Sequence, residues 1–249
     1  MSDFRIDKIT NRVGDAGTQI AGITTFSGTS GMQLPSGPTE YRGGRGRGVF
    51  VGGRTPTLLS SCEKIEIATT GDATDFGDVT PVSGNQYSTY GQGSSPTRGV
   101  FGGGYYAPGV DVAIIQYITL ATRGNSETFG NLTDARRDAS GVSSSTRAIF
   151  AGGTDSGEPN SSNIIEYVTI ATLGDATDFG DMAVGGPGRP AGASNSIRGC
   201  FGGGKLSGTS VNTIAYLTIS TPGNTIDFGD LTYAGFELGG CSDSHGGLG

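Results

Sequence analysis

From residue 47 to about residue 240, short apolar runs alternate with polar, glycine-rich stretches at a steady interval. One kind of run is compact: Val49-Phe50-Val51 is closed by Gly52-Gly53, and similar runs end in Gly103-Gly104, Gly152-Gly153 and Gly203-Gly204. A second kind alternates. In "YITLATRGNSETFGN", Ile118 and Leu120 face one way while Tyr117 and Thr119 face the other. A period of two marks a strand. Ile115 joins Tyr117 on the second face, so both faces are expected to be covered. "ATTGDATDFGD" then reads as strand end, turn and short aromatic strand, with Gly and Asp supplying the turn geometry. The pattern predicts three or four short strands per stretch and no helix.

The interval is a repeat. "RGVFVGG" begins at Arg47, "RGVFGGG" at Arg98, "RAIFAGG" at Arg147 and "RGCFGGG" at Arg198, with spacings of 51, 49 and 51 residues. A second block follows each, from Lys64, Tyr117, Tyr167 and Tyr216, and it places Phe76, Phe129, Phe179 and Phe228 in register. A small sheet of this kind cannot bury two faces alone, whereas stacked copies cover one another. Closing the stack into a ring leaves few exposed edges. That logic predicts an all-β chain folded as a β-propeller of about four repeats, and a unit of this length is the kelch length. The double glycines, the following tyrosines and the further aromatics also resemble a kelch repeat. Lys64 at the first tyrosine position, and phenylalanine where kelch units carry tryptophan, make it a divergent one. A four-bladed ring, with the tail "CSDSHGGLG" completing a blade, is the first expectation; an open or trimer-interlocked stack is the second.

Composition narrows the function. The chain has 249 residues, 47 of them glycine, and a formal net charge of −7. Net negative charge argues against a general polyanion binder, because phosphate attraction needs a basic surface. Arg42 and Arg45, outside the repeat, are a thin basis for nucleic-acid binding. Cys62, Cys200 and Cys241 form no CxxC pair and no metal-ligand spacing with His245, so reduced thiols are expected. No apolar run reaches the length of a membrane span, and no membrane insertion is expected.

Residues 1–38 belong to no copy and are read as a docking segment, with residues 39–249 as the repeat domain. "FRIDKIT" alternates as a short strand does and "GITTFSGTSGMQLPSGP" is a turn-rich extended segment; Phe4, Ile6 and Ile9 in the first and Phe26 in the second are the candidate docking residues. The opening "DKITNRVGDAGTQIAGITTFSGTSGMQLPSGPTEYRGGRGRGVF", the recurrent "TIATLGDATDFGD" and the closing "SHGGLG" resemble structural proteins of tailed bacteriophages, those of marine cyanobacterial phages above all. The resemblance covers nearly the whole chain. It implies a virion component in several copies: a fibre, appendage or tail-associated protein contacting other virion proteins, or else a head decoration protein. A homo-oligomer, such as a trimer, follows from it.

Catalytic and ligand motifs are weak beside this. "GCFGGGK" at residues 199–205 has P-loop spacing, but Leu206 stands where a magnesium-binding Ser or Thr is needed. "SDSH" at residues 242–245 gathers triad residue types in adjacent positions, where a triad needs groups converging from a rigid frame. Asp72, Asp75 and Asp78, and again Asp175, Asp178 and Asp181, fall three apart. Turn formation accounts for them more simply than a weak calcium site does. No cofactor is expected. A glycan-degrading propeller enzyme would need paired carboxylates held in a cleft, and only turn aspartates recur, so the reading is non-enzymatic. The segments after each double glycine differ between copies while the strands around them agree. Loops on a rigid frame carry recognition, which makes Tyr105, Tyr106, Arg54 and Lys205 the candidate contacts to a partner or a host surface glycan.

Overall fold

The computed structural model describes residues 25–27, 31–33, 46–55, 57–67, 69–80, 87–106, 109–155, 161–183 and 185–242, and only the backbone at 25–27, 31–33, 54–55 and 87–90. Among them every regular element is a strand. β1 (Thr25–Ser27) and β2 (Gly31–Gln33) form a small antiparallel hairpin. Four antiparallel sheets then follow in chain order. The first holds β3 (Arg47–Val51), β6 (Ser61–Glu66) and β7 (Thr74–Asp78), with β4 (Arg54–Thr55) and β5 (Thr57–Leu58) as an appended hairpin. Sheet two is β8 (Tyr87–Ser94), β9 (Arg98–Tyr106), β10 (Val110–Thr119) and β11 (Glu127–Asn131). Sheet three is β12 (Ser140–Ser143), β13 (Arg147–Ala151), β14 (Ile164–Thr169) and β15 (Thr177–Asp181). Sheet four is β16 (Ala191–Ser194), β17 (Arg198–Gly202), β20 (Thr213–Thr218) and β21 (Ile226–Asp230), and β18 (Lys205–Leu206) with β19 (Thr209–Ser210) extends it as a hairpin.

The repeat in the sequence is a repeat in register. Val49 faces Lys64, Val100 faces Tyr117, Ile149 faces Tyr167 and Cys200 faces Tyr216. Each long strand carries a bulge at the same place, between Cys62 and Glu63, Ile115 and Gln116, Ile165 and Glu166, Ile214 and Ala215. The bulge re-aims the side chains that follow it. Ile115 and Tyr117 therefore serve one neighbouring sheet, while Ile118 and Leu120 serve the other.

The core lies between sheets. Cys62, Phe76, Phe101 and Ile118 fill the space between sheets one and two. Val100, Ile115, Phe129 and Phe150 fill the next, and Ile149, Ile165, Phe179 and Phe201 the third. At each joint the phenylalanine of one compact run (Phe101, Phe150, Phe201) seats against the aromatic strand of the sheet before it. Burial of an aromatic this size contributes roughly 2–3 kcal/mol, so these joints hold the array together. The first strands of sheets two, three and four (β8, β12 and β16, the inner strands) come closer still: a Cβ at Gly141 would lie 2.0 Å from the Gln92 carbonyl oxygen, and one at Gly192 would lie 2.5 Å from that of Gly141.

Candidate functional site

The double glycines turn each compact strand into the hairpin that follows. Gly103, Gly152 and Gly203 have φ near +70°, and a Cβ at Gly103 or Gly152 would meet the Arg136 or Pro187 carbonyl oxygen at 2.6 Å. No L side chain fits there. The glycines that gave P-loop spacing at 199–205 thus make a strand and a turn, and the chain continues into β18 rather than a helix. These turns, from which the divergent segments leave, stand at one face of the array.

Tyr105 and Tyr106, expected as exposed contacts, are half-buried. The Arg137 guanidinium lies 5.2 Å from the Tyr105 ring centroid, and its Nε is 3.6 Å from Asp111 Oδ1, so the ring is part of a packed ion cluster. Tyr106 packs on the cluster between sheets one and two. Lys205 exchanges backbone hydrogen bonds with Gly188, and its Nζ lies 5.3 Å from the Phe236 ring. Arg54 starts β4 opposite Leu58. Phe26 lies on β1 opposite Met32; Phe4, Ile6 and Ile9 fall outside the described residues, as do Arg42, Arg45 and His245. Among the described residues, the large apolar side chains that this face exposes include Val110 at the tip of the second hairpin and Tyr233 and Phe236 ahead of the tail.

A set of charged residues at this face carried no motif in the sequence. Asp138, Arg189 and Glu237 all have φ near +60° and stand at equivalent points before the inner-strand positions. Arg189 donates from Nε to Asp138 Oδ2 at 3.0 Å and from Nη1 to Glu237 Oε1 at 2.7 Å. Their main chains interlock as well: Arg189 N–H donates to the Asp138 carbonyl at 2.8 Å and Glu237 N–H to that of Arg189 at 3.3 Å. With Ala139, Pro190 and Leu238 they border a cavity of about 350 Å³. Residue type differs at the three positions, so only their spacing could have revealed them. Nearby, Arg136 Nη2 lies 2.7 Å from Glu166 Oε2, both side chains fully buried. Burial lowers the Arg136 pKa and Glu166 opposes that shift. The carboxylate's other oxygen accepts from Thr133 N–H at 2.7 Å.

Arg47, Arg98 and Arg147 of the in-register arginines, and Asn125, Asp175 and Asn224 of the turns, are inter-sheet clasps. Arg47 Nη1 donates to the Leu120 and Ala121 carbonyls at 2.6 and 2.9 Å, Arg98 to Ile170 and Ala171 at 2.9 and 3.1 Å, and Arg147 to Ile219 and Ser220 at 3.0 and 2.8 Å. Each of Arg98, Arg147 and Arg198 also stands 4.4–4.6 Å over the tyrosine of its own sheet. Arg47 has Lys64 at that position and pairs with Glu66 instead, at 3.3 Å. Below the arginines, Gly124, Gly174 and Gly223 N–H donate to the carbonyls of Phe76, Phe129 and Phe179. Asn125, Asp175 and Asn224 accept from the backbone N–H of Asp78, Asn131 and Asp181 at 2.9–3.0 Å. Asp and Asn interchange because this bond needs only an oxygen acceptor. Among the described residues no three acidic, histidine or cysteine side chains converge on a metal position.

No protein-family model matches this sequence. No curated protein matches it either. Among solved structures it is similar to one named "Structure of YjhT", with 8% sequence identity and a TM-score of 0.55 over 70% of this chain and 60% of that one. The chain therefore corresponds to about 60% of the length of that structure. At this identity the likeness carries the all-β fold alone.

Proposed function

We propose that the chain is a non-enzymatic structural protein of a tailed-phage virion: a tail- or fibre-associated appendage that docks through residues 1–38 and presents the hairpins of a four-bladed, kelch-like β-propeller for host attachment. The sheets are the blades, and the cavity bordered by their inner strands is the axis. One observation carries the reading. A clasp of constant geometry holds four sheets in place while the segments that follow the double glycines differ in sequence in every copy. A frame conserved in geometry with a variable face is what recognition by many copies needs, because several weak contacts on one particle add through avidity. Asp111, Arg137, Asp138, Arg189 and Glu237 at that face are engaged in ion pairs, which suits a contact surface better than acid–base chemistry. The resemblance of the opening and closing segments to tailed-phage structural proteins supplies the particle.

Mass spectrometry and immunogold labelling of purified particles test it. Detection at the tail or its fibres supports the assignment, location on the head transfers the same fold to decoration, and absence from particles overturns it.

A further inference from the structure

In sheets two, three and four the double glycine delivers the hairpin onto the loop that leaves the same sheet, and the two meet at one residue apiece. The hairpin residue stands seven places beyond the in-register arginine: Tyr105, Thr154 and Lys205. Its counterpart in the loop is fixed by a repeated hydrogen bond. Gly104, Gly153 and Gly204 N–H donate to the carbonyls of Arg136, Pro187 and Gly235 at 2.8, 3.5 and 2.7 Å, and the residue after each carbonyl is Arg137, Gly188 or Phe236. The positive-φ residues Asp138, Arg189 and Glu237 come next. Partners more than 30 residues apart in the chain thus occupy one place in each sheet.

The side chains at that place complement one another in three different ways. In sheet two the ring is on the hairpin and the cation on the loop, with the Arg137 guanidinium 5.2 Å from the Tyr105 ring centroid. Sheet four exchanges the roles: Lys205 is on the hairpin, and its Nζ lies 5.3 Å from the Phe236 ring in the loop. A cation over a ring is attracted whichever side supplies it, so the exchange replaces both residues and keeps the contact. Sheet three has neither group. A Cβ at Gly188 would lie 2.8 Å from Thr154 Cγ2, so the threonine fills the space that a loop side chain would need. The main chain then carries the contact onward. Arg137 and Thr154 exchange hydrogen bonds at 3.1 and 2.7 Å, and Gly188 and Lys205 exchange them at 2.9 and 2.8 Å. Each of these two loops therefore meets its own hairpin at the side-chain position and holds the next hairpin by its backbone.

We infer that the contact unit of this face is a hairpin together with the loop leaving its own sheet, matched at Tyr105–Arg137, Thr154–Gly188 and Lys205–Phe236, and that the three hairpins are tied into one surface. These pairs are specificity-determining: a new hairpin presents its side chains in a fixed direction only with a loop residue that fits it. The use of this face for contact rests on the attachment reading above, whereas the matching of the pairs does not. Hairpins held in this way are already ordered when a partner arrives, which lowers the entropy lost on contact.

Amide hydrogen exchange on the full chain tests the pairing in sheet four. Phe236→Arg sets a second cation against Lys205, and the Gly188, Lys205 and Val211 amides, all bonded at this hairpin, are expected to exchange about 10-fold faster. Adding Lys205→Tyr recreates the sheet-two pair in sheet four and is expected to bring them back to within about 3-fold of the wild type. No loosening in the single variant, or no recovery in the double, overturns the matching; recovery of the thermal midpoint reads the same way. If Val211 responds and Gly188 does not, the hairpins are independent and the single surface is overturned. Binding of the purified chain to host cells separates the two levels. Recovery without any binding removes the attachment reading and leaves the pairs, whereas binding without recovery removes the pairs alone.

Discussion

Cys62 shows how a side chain fixed by the repeat acquires its chemistry from position. It lies in β6 beneath Phe76 and Phe101 with no exposed surface, and burial, with Asp78 adding to it, pushes its thiol up from 9.0 to about 11. A thiol whose pKa rises on folding stabilises the fold fully while both states keep the proton, below about pH 9, and that contribution is lost as pH climbs through 11. Urea unfolding between pH 8 and 11 is therefore expected to lose about 2–3 kcal/mol more in the wild type than in Cys62→Ala; parallel slopes would show the thiol to be uncoupled from folding. The in-register arginines were legible as a pattern, and so was the break at Lys64. Where their guanidinium groups go was not legible, because a main-chain carbonyl on another sheet leaves no mark in residue type. The same holds for Asp175, readable as a turn former but not as the acceptor for Asn131.

At the scale of the element, the alternation in "YITLATRG" predicted a strand with two covered faces, and β10 is that strand. The bulge before Gln116 was not foreseen. It has its own signature in hindsight, since the glycine of each "FGD" or "FGN" lies opposite it and abuts the following sheet at the first three joints. Gly180 has φ +142°, and a Cβ there would lie 2.6 Å from the backbone of Gly223. Gly180→Ala is expected to cost about 2–4 kcal/mol, combining backbone strain with separation of two sheets, as read by the urea midpoint; a cost below 1 kcal/mol would show that this approach is not rigid. The hairpins were recognised as variable, yet the inward engagement of Tyr105 could not be read. Its partners, Arg137 and Asp111, are 32 and 6 residues away in sequence.

For the whole molecule, stability is a sum over joints rather than a property of one central core. Phe150→Ala, at a made joint, is expected to cost about 3–5 kcal/mol. If the proposed ring closes, Phe50→Ala costs a similar amount, although Phe50 stands exposed; a surface-like loss below about 0.5 kcal/mol in thermal unfolding contradicts closure. All-β character and the count of repeats could be read from periodicity alone. A ring with the tail completing a blade was the first expectation and an open stack the second; periodicity does not choose between them, because closure depends on the angle between sheets, which no residue type encodes.

The clasp has a consequence for how such a chain can change. Arginines that bond to main-chain carbonyls accept any neighbour of the right shape, so recombination can exchange one repeat for another and install a new hairpin without rebuilding its joints. The buried pair of Arg136 and Glu166 limits where the cut can fall. A crossover between these two residues leaves one charge buried alone, at a cost of about 3–5 kcal/mol. The heritable module of the third sheet must therefore begin before Arg136, upstream of the arginine block that marks the repeat to the eye.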